Sequence, residues 1–167
     1  DERYSTLLAI PTTAGSGAEV TSSAVMYINK KKYSLEGKNV KPNYFFLVPD
    51  LILKNSKSLK ASSGFDAISQ AVESMISIKS NQQSLIFAKK SLELSLDNYL
   101  NFLKNPSLSI AKMMSLASMY SGKAINITKT TAPHAVSYPF TSLYNISHGH
   151  AVSLTLEKFL KFNYLNI

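Results

Sequence analysis

Apolar residues in the first third of the chain occur in short runs, a pattern typical of β-strands. Leu7–Ile10 is one such run and ends at Pro11, and Tyr44–Val48 is a second run, closed by Pro49. The first run predicts a buried strand, and the longer continuous run at 44–48 predicts a strand that is buried on both faces. Between them, Ser22–Asn29 alternates β-branched with small residues and predicts a third strand.

A β-hairpin is predicted around three consecutive lysines. Lys30–Lys32 forms a polar turn after Ser22–Asn29, and Tyr33–Leu35 is placed to pair back on that strand.

The rest of the chain has apolar residues at helical spacing, which predicts an uninterrupted series of helices. The predicted helices cover about 66–78, about 81–104, a segment that includes 110–127, about 134–143, and a segment that begins near 148. Asn105-Pro106 separates the second from the third. The predicted fold class is therefore a short β section followed by a mainly α-helical section, with a domain boundary near residues 55–62.

Composition narrows the class of protein. Of 167 residues, 45% are apolar and none is cysteine, which allows a packed core and excludes a disulfide scaffold or a cysteine-ligated metal. The absence of an apolar run long enough to span a membrane and of a secretory signal pattern favours a cytoplasmic protein without a membrane partner.

The net charge of +8 comes from scattered lysines, and Arg3 is the only arginine. This distribution fits a lysine-rich surface better than a nucleic-acid interface. A positive field would equally suit a small anionic substrate.

Candidate chemistry centres on one acidic helix and a histidine cluster. Asp66 and Gln70 lie one helical turn apart, and all 3 histidines fall between His134 and His150. An aspartate with His134 and His148 on neighbouring helices would supply the ligands of a divalent metal. His148 and His150 point in different directions on a helix, so both are not expected to bind one ion. A helix-capping aspartate, a solvent-facing glutamine and structural histidines remain the alternative.

Two segments have the composition of anion-binding loops. Pro11–Glu19 follows a strand and is rich in small and hydroxyl residues, although it matches neither common phosphate-binding pattern. Lys129, Thr130 and Thr131 precede the helix of His134, where free backbone N–H groups attract anions. On local evidence alone, a plain capped turn is the preferred explanation of the second segment.

Three motifs, taken together and in this order, resemble the iron-containing (group III) alcohol dehydrogenases. They are P-T-T-A-G-S-G-A-E-V-T at 11–21, G-F-D-A-I-S-Q-A-V-E-S at 64–74, and H-A-V-S-Y-P…H-G at 134–149. The resemblance covers essentially the whole chain and implies a fragment of a longer protein. Residues 1–58 would be the C-terminal part of a nucleotide-binding α/β domain, and residues 59–167 an incomplete, all-helical metal-binding and catalytic domain.

The resemblance implies a role for individual residues. A divalent metal, Fe²⁺ or alternatively Zn²⁺ or Mn²⁺, would be bound by Asp66, Gln70, His134 and His148. NADH or NADPH would contact Thr12, Thr13 and Lys32. Gln70 stands where the family has a histidine ligand, and Tyr138 stands where it has a non-ligand histidine often assigned to proton relay.

These departures resemble a branch of the family that reduces phosphonoacetaldehyde. The implied reaction is metal- and NAD(P)-dependent reduction of a small anionic aldehyde to its alcohol, here 2-hydroxyethylphosphonate. Lys129 would bind the substrate anion and Tyr138 would act in catalysis. A homodimer is the assembly expected of the full-length protein. A generic short-chain alcohol dehydrogenase and a non-catalytic metal-binding fragment remain alternatives.

Overall fold

The structure, a computed structural model, describes residues 5–29 and 31–166. Within these residues, four short strands form two separate pairs. Strand β1 (Leu8–Ala9) pairs in parallel with β4 (Tyr44–Phe45), and β2 (Ser23–Ile28) pairs antiparallel with β3 (Lys31–Glu36).

Helices make up most of the described chain, which confirms the predicted fold class. The helices are α1 (Pro49–Leu53), α2 (Lys57–Ile76), α3 (Gln82–Lys104), α4 (Leu108–Thr128), α5 (Ala132–Tyr144) and α6 (His148–Leu165). No described helix is long and apolar enough to cross a membrane.

Polar side chains define where three of the long helices begin. The side chains of Ser56, Asn81 and Ser107 each accept a hydrogen bond from a backbone N–H in the first turn of α2, α3 and α4. These N–H groups have no partner inside the helix, so each cap stabilises its helix by about 1 kcal/mol.

Helix α2 is the centre of the helical section and packs against α3, α4 and α6. Much of the helix packing uses small residues, including the fully buried Ala71, Ala88 and Ala124. Larger side chains, among them Phe102 and Met114, fill a second core cluster. Small residues allow close helix approach, so a polar side chain on α2 can reach groups on its neighbours.

Several predicted boundaries and burial states were wrong. Helix α2 begins nine residues before Asp66, because Ser56 caps it and Gly64 packs inside it against Tyr99. Asp66 therefore lies in the middle of a helix and not at its N-terminus. The apolar run at 44–48 gives only the two-residue strand β4, and the short helix α1 begins at Pro49, after three intervening residues.

Leu7–Ile10 was predicted to be a buried strand and Tyr44–Val48 a strand buried on both faces, and both predictions were wrong for the described residues. Leu8 is 48% exposed and Phe46 is 61% exposed, because the parallel pair β1–β4 has only two strands and open faces. The hairpin was predicted correctly, but Lys31 and Lys32 belong to β3. Lys30 lies outside the described residues, and the division into 1–58 and 59–167 stays a prediction.

Helix α6 crosses α2 at a point where only glycine fits. A Cβ atom on Gly149 would overlap the backbone carbonyl of Ser62 and contact the Cβ of Asp66 at 3.1 Å. The absence of a side chain at Gly149 therefore sets the distance between the two helices.

Replacing Gly149 with alanine should force α6 away from α2. We expect Gly149→Ala to lower the free energy of unfolding by about 1–3 kcal/mol, as overpacking of a core does. Urea denaturation of the full-length protein would measure the loss. Gly37→Ala is the matched control, because an added Cβ there meets nothing within 4 Å. Equal stability of both variants would contradict this account of the helix crossing.

Candidate metal centre

One stripe of α2 carries three buried polar side chains. Asp66, Gln70 and Glu73 are 5%, 4% and 0% exposed, and their spacing places them on the same side of the helix. Burying such groups costs free energy unless each has a partner. The alternative of a capping aspartate and a solvent-facing glutamine was therefore wrong.

Two histidines meet Asp66 on this stripe, one from α5 and one from α6. The Nε2 atom of His134 lies 3.1 Å from Asp66 Oδ1, and Nε2 of His148 lies 3.9 Å from the same oxygen. One ligand atom from each residue lies within 4.8 Å of the other two. His150, two residues beyond His148, is exposed and faces elsewhere. A carboxylate and two imidazoles that converge in this way fit a divalent cation.

Glu73 fixes the orientation of His134. Its Oε1 accepts a hydrogen bond from His134 Nδ1 at 2.5 Å, and its Oε2 accepts from the backbone N–H and the hydroxyl of Thr131 at 2.6 and 2.8 Å. A proton held on Nδ1 leaves Nε2 directed at Asp66, the arrangement by which carboxylates support metal-binding histidines. The helical spacing already placed Glu73 a further turn along from Asp66 and Gln70, but sequence reasoning assigned it no role because its partners at the start of α5 are far away along the chain.

Gln70 completes the polar cluster. Its Nε2 donates to Asp66 Oδ2 at 3.3 Å, and its Oε1 accepts from the hydroxyl of Ser121 at 3.0 Å. The amide therefore lies directly beside the carboxylate that His134 and His148 share. An amide oxygen is a hard neutral ligand, which fits iron, zinc or manganese alongside two imidazoles.

The two histidines have opposite pKa shifts. Burial is the largest influence on His134 and lowers its pKa, but the hydrogen bonds and charges of Asp66 and Glu73 outweigh it and raise the pKa to about 9. Burial also lowers the pKa of His148, which Asp66 only partly offsets. His148 therefore offers a neutral imidazole at neutral pH, as metal binding requires.

A cavity of about 440 Å³ opens over this cluster. Asp66, Gln70, His134 and His148 line it, together with residues of the β2–β3 hairpin. The hairpin contributes two charged residues, Lys32 and Glu36. The volume suits a small molecule.

Tyr138 and Lys32 lie together at the cavity wall. The Tyr138 ring stacks on His148 with 6.0 Å between ring centroids, and the Lys32 ammonium lies 3.0 Å from the Tyr138 ring centroid. Burial raises the pKa of Tyr138, and a hydrogen bond with Thr130 partly opposes this. Burial lowers the pKa of Lys32 to about 8. Tyr138 is therefore a protonated phenol at neutral pH, able to donate a hydrogen bond into the cavity.

Lys129 lines the cavity with a positive backbone φ of 63°, and its Nζ pairs with Glu36 Oε2 at 2.8 Å. The helix N-terminus behind it is less available than the sequence implied, because the N–H of Thr131 already binds Glu73. Any anion in this part of the cavity would be bound mainly by side chains.

The two predicted cofactor threonines lie farther away. Among the described residues, Thr12 and Thr13 do not line the cavity, and the Thr12 carbonyl accepts a hydrogen bond from Asn55 Nδ2 at 2.8 Å. Their loop reaches the cavity through Ser16, Ala18 and Thr21.

Comparison with known sequences identifies the class of protein that has this fold and site. Residues 60–166 match the profile of the Fe-containing alcohol dehydrogenase family, C-terminal. The chain belongs to the iron-containing alcohol dehydrogenase family, as the three sequence motifs implied.

Individual relatives are similar over nearly the whole chain. Phosphonoacetaldehyde reductase of Streptomyces viridochromogenes is 33% identical over 162 residues, 95% of this chain and 41% of that protein. The 4-hydroxybutyrate dehydrogenase of Clostridium kluyveri is 29% identical over 163 residues, 95% of this chain and 44% of that protein. The chain thus spans less than half the length of these relatives.

Solved structures confirm the fold. Sulfoacetaldehyde reductase of Bifidobacterium kashiwanohense, solved in complex with NAD⁺, superimposes with a TM-score of 0.89 at 33% identity, covering 95% of this chain and 43% of that one. An iron-containing alcohol dehydrogenase of Thermotoga maritima gives a TM-score of 0.87 at 33% identity, with 93% and 43% covered.

The raised pKa of His134 makes stability depend on pH in the chelator-treated, full-length protein. Between pH 6.5 and 8 folded His134 keeps a proton that the unfolded chain releases, so the free energy of unfolding should fall as pH rises, by roughly 2 kcal/mol. His148 and Lys32, with lowered pKa values, act mainly outside this window. Urea denaturation at several pH values would measure the slope.

The control for this pH dependence is His134→Gln, which lacks the titrating group. The difference between the two proteins isolates the contribution of His134 from all other groups. The same slope in both proteins would contradict the assignment.

Proposed function

We propose that the full-length protein reduces a small anionic aldehyde to its alcohol, with a divalent metal bound by Asp66, Gln70, His134 and His148 and with NADH or NADPH as hydride donor. The observation that carries the proposal is the convergence of Asp66, His134 and His148 on one point of a small-molecule cavity. Fe²⁺ is the favoured metal, and Zn²⁺ or Mn²⁺ also suits these ligands.

The bound metal would supply Lewis-acid polarisation of the aldehyde oxygen, and the nicotinamide would supply the hydride. The residues of this chain have supporting tasks. Glu73 holds His134 in the tautomer that presents Nε2, and His148 is neutral at working pH. Tyr138, a protonated phenol at the cavity wall, is the candidate for delivering a proton to the product oxygen. Thr12, Thr13 and Lys32 remain the proposed contacts of the nucleotide.

An anionic substrate is supported by two independent observations. Phosphonoacetaldehyde, sulfoacetaldehyde and 4-hydroxybutyrate, which appear in the names of three similar proteins, all carry an acidic group near the reacting carbon. The cavity of this chain contains two lysines, Lys32 and Lys129. We propose phosphonoacetaldehyde, reduced to 2-hydroxyethylphosphonate, as the substrate, with Lys129 binding the phosphonate.

A second candidate is the reduction of an uncharged short-chain aldehyde. Similarity to the 1-propanol dehydrogenase of Citrobacter freundii, 30% identical over 162 residues, 95% of this chain and 44% of that protein, favours it. The pairing of Lys129 with Glu36 also reduces the positive charge available to an anion.

Metal dependence tests the proposal directly. We expect chelation of the full-length protein to abolish NAD(P)H oxidation with phosphonoacetaldehyde, and added Fe²⁺, Zn²⁺ or Mn²⁺ to restore it. His148→Ala should remain inactive after metal addition, whereas His150→Ala, which changes an exposed histidine two residues away, should retain activity. Full activity of His148→Ala, or of the chelated protein, would refute metal-dependent reduction.

Lys129→Ala separates the two substrate classes. We expect it to lower kcat/KM for phosphonoacetaldehyde about 10- to 100-fold, roughly 1.5–3 kcal/mol, the value of a charge-assisted hydrogen bond, and to leave propionaldehyde reduction nearly unchanged. Lys123→Ala is the control, because Lys123 lies against Phe87 and Tyr120, outside the cavity. Equal losses with both aldehydes would assign Lys129 to structure or to nucleotide binding.

A further inference from the structure

A buried serine of α4 contacts the amide of Gln70. Ser121 is 0% exposed, and its hydroxyl oxygen lies 3.0 Å from Gln70 Oε1 and 2.8 Å from the carbonyl oxygen of Ser118. Gln70 is thus held at one end of its amide by Ser121 and at the other by Asp66. The serine does not itself reach the histidines of the candidate metal centre.

The Ser121 hydroxyl has one proton and two possible acceptors. If the proton goes to Gln70 Oε1, the amide nitrogen faces Asp66. If it goes to the nearer Ser118 carbonyl, the hydroxyl oxygen is free to accept from the amide nitrogen. Gln70 then turns by half a rotation about its last side-chain bond, and its oxygen faces Asp66.

The second orientation is the one that a cation requires. An amide coordinates a metal through its oxygen, and its NH₂ group only donates hydrogen bonds. An amide that turned its oxygen to a cation beside Asp66 would leave its NH₂ group buried, and Ser121 Oγ is the acceptor within reach of it. We propose that Ser121 is a positioning residue of the metal centre, which holds Gln70 with its amide oxygen directed at the ion.

This proposal rests on the proposed metal site and adds a residue to it. Under this proposal, Ser121 affects metal binding only through the glutamine at position 70. Ser115 gives the structural comparison on the same helix, because it is also buried and its hydroxyl donates to the Ala111 carbonyl at 3.0 Å. A serine that served only to satisfy a helix carbonyl would behave as Ser115 does.

Metal titration of the chelated, full-length protein tests the proposal without any activity measurement. Mn²⁺ and Zn²⁺ would be titrated calorimetrically into the wild type, Ser121→Ala and Ser115→Ala. We expect Ser121→Ala to weaken metal binding roughly 10- to 100-fold, as loss of an orienting partner does, and Ser115→Ala to bind as the wild type does. Ser121→Cys, which keeps the shape but is a poor acceptor, serves if the alanine variant does not fold.

A double-mutant cycle distinguishes positioning from a general packing role. In a Gln70→Ala background the amide is gone, so adding Ser121→Ala should cause no further loss of affinity. Equal losses in both backgrounds, or no loss in Ser121→Ala, would overturn the role of Ser121 while leaving the metal site intact. Failure of the wild type itself to bind either ion would instead overturn the proposed function.

Discussion

The structure depends on one buried imidazole held between two carboxylates. His134 bridges Asp66 and Glu73, and all three side chains are almost completely removed from water. Two carboxylates in such a place are unstable without positive charge close by. His134 supplies one charge when it is protonated, and a divalent cation bound to Asp66 and Nε2 would supply more. The same three groups therefore serve the stability of the fold and the proposed chemistry.

The surrounding elements are arranged to make this cluster possible. Helix α2 brings both carboxylates on one stripe, and its small neighbours allow α4 and α6 to come close. The backbone N–H and the hydroxyl of Thr131, the residue before α5, bind Glu73 and anchor the helix that carries His134. Gly149 permits the close crossing that places His148 beside Asp66. Backbone geometry and site geometry are consequently coupled at each of these contacts.

Much of this was accessible from the sequence. Helical periodicity predicted the long helices, and the motif resemblance singled out Asp66, His134 and His148, which the structure brings together. The start of α2 was missed because Gly64 looks like a helix breaker in isolation, whereas in the fold its missing side chain makes room for Tyr99. The partners of Glu73 and Ser121 were hidden because each is more than 50 residues away, beyond the reach of any local pattern.

The use of the α5 N-terminus by Glu73 has a consequence for how substrate choice can evolve. A helix end binds an anion through backbone N–H groups. A protein that binds its substrate anion in this way must therefore change its backbone in order to change its preference for charged or uncharged substrates. Here that helix end is occupied by an internal carboxylate, that of Glu73, and the charged side chains of the cavity outside the candidate metal centre are Lys32 and the paired Lys129 and Glu36. The charge that the cavity presents to a ligand can therefore change without a change in the fold around the candidate metal centre. A change of one or two side chains on the hairpin or the α4–α5 loop would alter the charge of the cavity and leave the helical frame as it is.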